Sequence, residues 1–295
     1  MKNILVPFDF SKPAVNAFRL AVKMADKSAA SVHLLYVIPL PVLTESIVPI
    51  FNFEGPYMEE LKRNSEMEFI ALKEKYKPEG ENVQVDEKVE FGAISSTILD
   101  YIDVHSIDLV IMGSHGFSGL REVVIGSNAE KMVRTSPVPV LVIKNHFKDE
   151  IKNIVFPNTF EEPGQDRLME KLKELQHFFQ AKLHLVLINT PTTFLNEDDA
   201  NSLLENCAMR YKLTDYTLHI YNYSNEEEGI LHFAKKVNAN MIAMGTHGRK
   251  GIAHLIQGSL AEDVTNHSDL LVWTYSLKRQ SIGFKQKDDR LALTY

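Results

Sequence analysis

Two stretches of this 295-residue sequence carry the residue types and spacing best suited to chemistry. In the first, Gly113 and Gly116 are followed, after nine intervening residues, by Gly126 and Ser127; in the second, Gly245 and Gly248 are followed at the same spacing by Gly258 and Ser259. Each stretch comes after a short apolar run and leads into a helix-compatible one. Glycine lets a backbone approach a ligand closely or adopt positive φ. A helix starting at Ser127 or Ser259 offers unpaired N–H groups and a partial positive charge, worth up to about 2 kcal/mol to a well-placed anion. Phosphate is the natural guest. Neither the G-x-G-x-x-G dinucleotide fingerprint nor the G-x-x-x-x-G-K-[ST] phosphate loop occurs. Glycines that merely make turns are the competing reading, and recurrence of the spacing in both stretches weakens it.

The neighbours of these glycines add further candidates. His115 and His247 hold matching loop positions, as phosphate contacts or as plain loop residues. Arg249 and Lys250 stand in the second loop where the first has Phe117 and Ser118, so two cations could reach a phosphate there. Met112 and Met244 end the strands beside the loops and read as core, with Met112 counted among the site residues for its position. Eleven histidines include no H-E-x-x-H pair and no Cys-His set, which argues against a metal site made by protein alone. His33, His184 and His219 alternate with apolar residues and belong on sheet faces or edges. The lone cysteine, Cys207, follows the apolar phase of Leu203, Leu204 and Tyr211, reads as packing, and suits a reduced, cytoplasmic compartment. Glu226-Glu227-Glu228 reads as a solvated cap ahead of a helix.

The elements that must position these residues come as one unit used twice. MGSHGFSGLREVVIGSNAEKMV from Met112 aligns without a gap with MGTHGRKGIAHLIQGSLAEDVT from Met244, an offset of 132, and KNILVPFDF at Lys2 aligns with KNIVFPNTF at Lys152, an offset of 150. The second copy is therefore shorter by about 18 residues. In each copy short β-branched runs alternate with helical spacing, which implies a parallel sheet with helices on both faces. The pattern predicts helices over Met58–Leu72, Leu203–Tyr211 and Ile230–Val237, among others. A polar stretch at Asn145–Glu150 separates the copies, giving units at 1–147 and 148–277 and a tail at 278–295. So short a linker implies that the units pack as an internal pseudo-dimer, with a further homodimer open. Trp273 aligns with Leu141 and is expected to be buried, at the face between units. The segment Pro39–Pro56, with Phe51 and Phe53, is either a lid over the site or a packed connector.

Composition excludes several classes. With 32 Lys+Arg against 39 Asp+Glu, the formal charge of −7 does not suit a nucleic-acid or anionic-membrane surface. The opening MKNILVPFDF is too short and too broken for a signal peptide, and the charge-free stretch from Ser28 to Thr44 contains Pro39 and Pro41, so no membrane segment is expected.

The G-x-x-G-(nine)-G-[ST] segment after a strand, with V-P-x-D-x-S at the first strand, resembles the universal stress protein family in its tandem form, over about 275 residues. The resemblance implies two Rossmann-like (adenine nucleotide alpha hydrolase-like) α/β domains, each a five-stranded parallel sheet of order 3-2-1-4-5. It also implies ATP binding, with Mg²⁺ arriving on the nucleotide, and a stress or signalling role toward an unknown protein partner. Carried over, the first site comprises Pro7 and Asp9 after the first strand, the Val37 backbone at the adenine edge, and Met112, Gly113, His115, Gly116, Gly126 and Ser127 around the phosphates. Asp9 lies beside adenosine or caps the turn before Ser11. The second site keeps Gly245, His247, Gly248, Arg249, Gly258 and Ser259, but Thr159 replaces Asp9. The expectation is that the first unit binds ATP well, while the second binds weakly, binds another phosphate compound or only supports the fold. No catalytic residue is assigned: the sequence shows no convincing general base or arginine finger, which leaves a slow ATP hydrolase or a nucleotide-free scaffold as alternatives.

Overall fold

The computed structural model of the chain describes residues 1–40, 55–76, 83–114, 125–145, 147, 150–160, 165–246 and 260–277. Strands β1 (Asn3–Pro7), β2 (Ser31–Pro39), β3 (Val85–Gly92), β4 (Leu109–Gly113) and β5 (Val140–Ile143) alternate with helices α1 (Lys12–Ser28), α2 (Pro56–Lys75), α3 (Ile94–Val104) and α4 (Ser127–Thr135). The second half repeats the series as β6 (Asn153–Pro157), α5 (Asp166–Phe179), β7 (Lys182–Asn189), α6 (Glu197–Arg210), β8 (Tyr216–Asn222), α7 (Glu226–Lys236), β9 (Met241–Thr246), α8 (Leu260–His267) and β10 (Leu271–Ser276).

Local chemistry explains where helices begin. Ser11 Oγ accepts from the Ala14 amide at 3.3 Å and Pro13 stands in the first turn, so α1 starts as capping and proline geometry dictate. Helices α6 and α7 begin several residues before their apolar spacing suggests. The reason is a capping asparagine in each: Asn196 Oδ1 accepts from Asp199 N and Asn225 Oδ1 from Glu228 N, both at 2.9 Å. Glu226, Glu227 and Glu228 are accordingly the first turn of α7 rather than residues ahead of it. A polar first turn is invisible to apolar periodicity, although its charges complement the helix dipole.

The ten strands form one sheet in the order β3-β2-β1-β4-β5-β10-β9-β6-β7-β8. Within each half every pairing is parallel. The halves meet at β5 and β10, which pair antiparallel: Val140 opposite Thr274, Leu141 opposite Trp273, and Val142 opposite Val272. Under the 132-residue offset Leu141 corresponds to Trp273 itself, Val140 to Val272 and Val142 to Thr274. The counterparts of any two facing residues thus also face each other, which is the signature of an isologous contact about a two-fold axis. Trp273, 2% exposed, sits on that pseudo-axis.

One face of the sheet carries a core continuous across both halves. Phe18 of α1, Phe69 of α2, Leu172 of α5 and Leu204 of α6 belong to it, together with Leu141 and Trp273 at the junction. On the other face α3 and α4 cover one cluster around Leu5, Val110 and Met132, while α7 and α8 cover a second around Val155, Phe233 and Ile242. Strands buried on both faces read as short apolar runs, as Ile4–Val6 and Leu109–Met112 do.

Candidate functional site

Ligands in an open parallel sheet collect beyond the carboxyl ends of its strands. Because β5 and β10 are antiparallel, those ends point to opposite edges of the sheet in the two halves. Adjacency of β2, β1 and β4 brings Pro7, Asp9, Val37, Met112 and Gly113 to one edge, where α4 also begins.

At that edge β1 stops at Pro7, opposite Leu35, and the Phe8 amide donates to Leu35 O at 2.8 Å. Strand β2 continues to Pro39. Carbonyl directions alternate along a strand, so the Val37 N–H and C=O lie on the same side as those of Leu35, past the end of β1. The Val37 side chain is 6% exposed and packs between the sheet and the helices. Its main chain is what this position offers a ligand. Met112, 5% exposed in the same cluster, is likewise core.

Asp9 Oδ1 accepts the Ser11 amide at 3.1 Å, an Asx turn between β1 and α1. Phe10 between them has φ of 61°, uncommon for a large side chain, and packs against Tyr36 and Phe69 with ring centroids 5.2 and 5.0 Å apart. Burial, aided by the charges of Glu68 and Asp9, holds the Tyr36 hydroxyl above the ordinary phenol range. Nothing in the sequence marked Phe10, whose backbone conformation depends on this turn.

The glycine segment is anchored at both ends. The Ser114 amide donates to Ile143 O at 2.9 Å, and the Gly126 amide to Ser114 O at 2.6 Å. Gly113 has a packing reason for its identity: a Cβ there would lie 2.5 Å from Pro13 Cβ and 2.7 Å from Pro13 C, in the first turn of α1. Gly126 is the N-cap of α4, in extended conformation and without a side-chain cap bond. Ser127 is exposed at the first helical position. The first-turn amides of α4 therefore open on the same edge as Asp9 and Val37, a combination that can hold an anion beside a main-chain recognition edge.

The second half differs. Asn158 takes the strand-end position, its amide donating to Val186 O at 3.2 Å, and its Oδ1 accepts Phe160 N at 2.7 Å. Its side chain also pairs with the buried Gln165, donating to Oε1 at 2.8 Å. Here the turn acceptor is the neutral Asn158 amide, and the position of Asp9 is taken by Thr159. Gly245 is less constrained than Gly113, since a Cβ would meet the Leu168 Cδ2 methyl at 2.8 Å. Thr246 Oγ1 is buried without a hydrogen-bond partner among the described residues.

His115, Gly116, His247, Gly248, Arg249, Lys250, Gly258, Ser259, the 41–54 segment and the 278–295 tail lie outside the described residues. His184 is satisfied inside the sheet, bonding Thr217 Oγ1 at 2.7 Å and Asn153 Oδ1 at 3.1 Å. Cys207 packs against the core, and burial pushes its thiol up to about 11, the opposite of an activated nucleophile. No group of three or more metal-ligating side chains occurs among the described residues, and none of the described helices is long and apolar enough to cross a membrane.

A sequence model of the universal stress protein family matches residues 1–144 and again 150–275. Universal stress protein Slr1230 of Synechocystis is 23% identical over 300 residues, covering 93% of this chain and all of that protein. Universal stress protein MJ0577 of Methanocaldococcus jannaschii is 30% identical over 153 residues, 48% of this chain and 94% of its own length. Among solved structures, a universal stress protein from Archaeoglobus fulgidus superposes with a TM-score of 0.73 at 19% identity, covering 93% of this chain and 98% of that one.

Proposed function

Because the chain belongs to the universal stress protein family, we propose that it is a cytoplasmic ATP-binding stress-response protein in which the first half, residues 1–147, holds the nucleotide. The single observation that carries this reading is the convergence of three features on one sheet edge. They are the overhanging Val37 main chain, the Asp9 turn and the uncapped N-terminus of α4. Main-chain N–H and C=O suit an adenine edge, a carboxylate suits ribose hydroxyls, and helix amides suit phosphate. Gly113, His115, Gly116, Gly126 and Ser127 would then surround the phosphates. Mg²⁺ would arrive with them, carried by the nucleotide. A micromolar site asks for about 8 kcal/mol, within reach of such a set.

In the second half, residues 148–277, Thr159 stands at the position of Asp9 and Asn158 supplies the turn bond, which supports weaker binding, a different phosphate compound or a supporting role. Occupancy would alter the surface offered to a protein partner. Native mass spectrometry of chain purified without added nucleotide is expected to show one retained ATP, and MgATP titration one strong site. Gly116→Arg should abolish that site and Gly248→Arg should leave it. Equal losses in the two variants would refute the asymmetry, phosphate release above a no-protein blank would make the chain a hydrolase, and no binding at millimolar MgATP would leave a scaffold.

A further inference from the structure

The end of α4 that faces the proposed phosphate site is held by a residue of the other half. Just before the Gly126 cap, the Ile125 amide donates to Asn266 Oδ1 at 2.7 Å, across 141 residues of sequence. A backbone amide can only donate, so the side-chain atom facing it must be the Asn266 oxygen rather than its nitrogen. Asn266 stands near the C-terminus of α8, and its own carbonyl accepts from Lys144 Nζ, a residue that follows β5 of the first half. Asn266 is thus gripped from both sides by first-half groups, and the bond to Ile125 sits one residue from the cap that opens α4.

The pseudo-two-fold axis makes this arrangement informative. Under the 132-residue offset the counterpart of Asn266 is Arg134, near the end of α4. A guanidinium has no acceptor atom, so Arg134 cannot make for the second half the bond that Asn266 makes for the first. Arg134 instead lies near two acids, its Nε 3.9 Å from Glu262 and its terminal nitrogen 3.7 Å from Glu130. The side-chain acceptor is therefore present at this position of α8 and absent from its counterpart in α4.

We propose that Asn266 is a positioning residue for the phosphate-binding end of α4, so that nucleotide affinity in the first half depends on a side chain supplied by the second. The inference rests on the reading that the first half binds ATP. It also gives the second half a function that does not require it to bind anything. Asn266 touches no nucleotide in this scheme; it sets where the Ile125–Ser127 backbone lies, and a misplaced set of first-turn amides loses alignment with a phosphate.

The full-length chain allows a test with two readouts. Asn266→Ala is expected to speed hydrogen exchange at the Ile125 amide and to weaken ATP by about 3- to 10-fold, the worth of one part-buried hydrogen bond. Global unfolding should change little. Asn266→Asp, which keeps an acceptor, is expected to restore Ile125 protection. The proposal is overturned if Asn266→Ala leaves Ile125 protection unchanged, if protection falls with no loss of ATP affinity, or if Asn266→Asp exchanges as fast as Asn266→Ala. A wild-type chain that takes up no ATP overturns the nucleotide reading instead, and the exchange measurement still decides whether Asn266 holds Ile125.

Discussion

Gly113 and Asp9 each have a structural reason for their identity, apart from any ligand. The glycine pattern signals a ligand loop, yet at Gly113 the nearest demand is the first turn of α1, whose Pro13 backbone would stand 2.7 Å from an added Cβ. Backbone cannot yield as a side-chain methyl can. Gly113→Ala is therefore expected to destabilise the chain by about 1–3 kcal/mol, the usual range for overpacking. Gly245→Ala, whose nearest neighbours are side-chain methyls of Leu168 and Leu277, should lower the denaturation midpoint less, and an equal fall in both variants would contradict this assignment. Asp9 is read from its V-P-x-D-x-S setting both as a ligand acid and as a turn acid; its Oδ1 makes the turn, and a ribose would meet the same carboxylate. Phe10 was not legible at all, since positive φ at a phenylalanine follows from the turn around it and from Tyr36 and Phe69 beneath it.

The elements were largely readable, with errors confined to ends. Apolar spacing located α6 and α7 but missed their first turns, which Asn196 and Asn225 create through hydrogen bonds. Strands β7 and β8 carry a histidine pair whose rings lie 5.8 Å apart, His184 and His219. Burial holds both imidazoles below the ordinary value of 6.5; at His184 the charges of His219 and Lys182 add to the effect, and at His219 that of Lys236. A depressed folded pKa means that the unfolded chain binds protons more readily, so stability rises with pH through this window. The stabilising contribution is complete above 6.5 and is lost as pH falls through the lower folded values. Denaturation midpoints are expected to drop between pH 7.5 and 5.5, with a shallower drop in a His184→Gln, His219→Gln double variant. An unchanged slope in that variant would place the acid sensitivity elsewhere.

The molecule as a whole is one sheet rather than two domains on a tether. Trp273 and Leu141 face each other where β10 meets β5, and the core on that face runs through them from α1 to α6. Trp273→Ala is expected to cost about 3–5 kcal/mol, as for other large-to-small changes in cores. Trp273 is also the sole tryptophan, so its fluorescence reports the junction. If the halves unfold together, fluorescence and circular dichroism should trace one coincident transition in wild type. Two separated transitions would show that each half is stable without the shared junction.

Repetition of the glycine spacing and of the strand–helix alternation is local information, carried by propensity, capping and apolar runs, and it established an α/β unit used twice and the family. The same local information identified which residues face a sheet edge once strand order is known. It could not reveal that β5 and β10 pair antiparallel, that the two candidate sites face opposite edges, or that Asn266 bonds Ile125. Those facts depend on contacts between residues more than 100 positions apart, which arise only when buried strands find partners for their backbone groups and the two halves close on a common core. The same closure places Asn266 against Ile125, while the symmetry-related position holds Arg134.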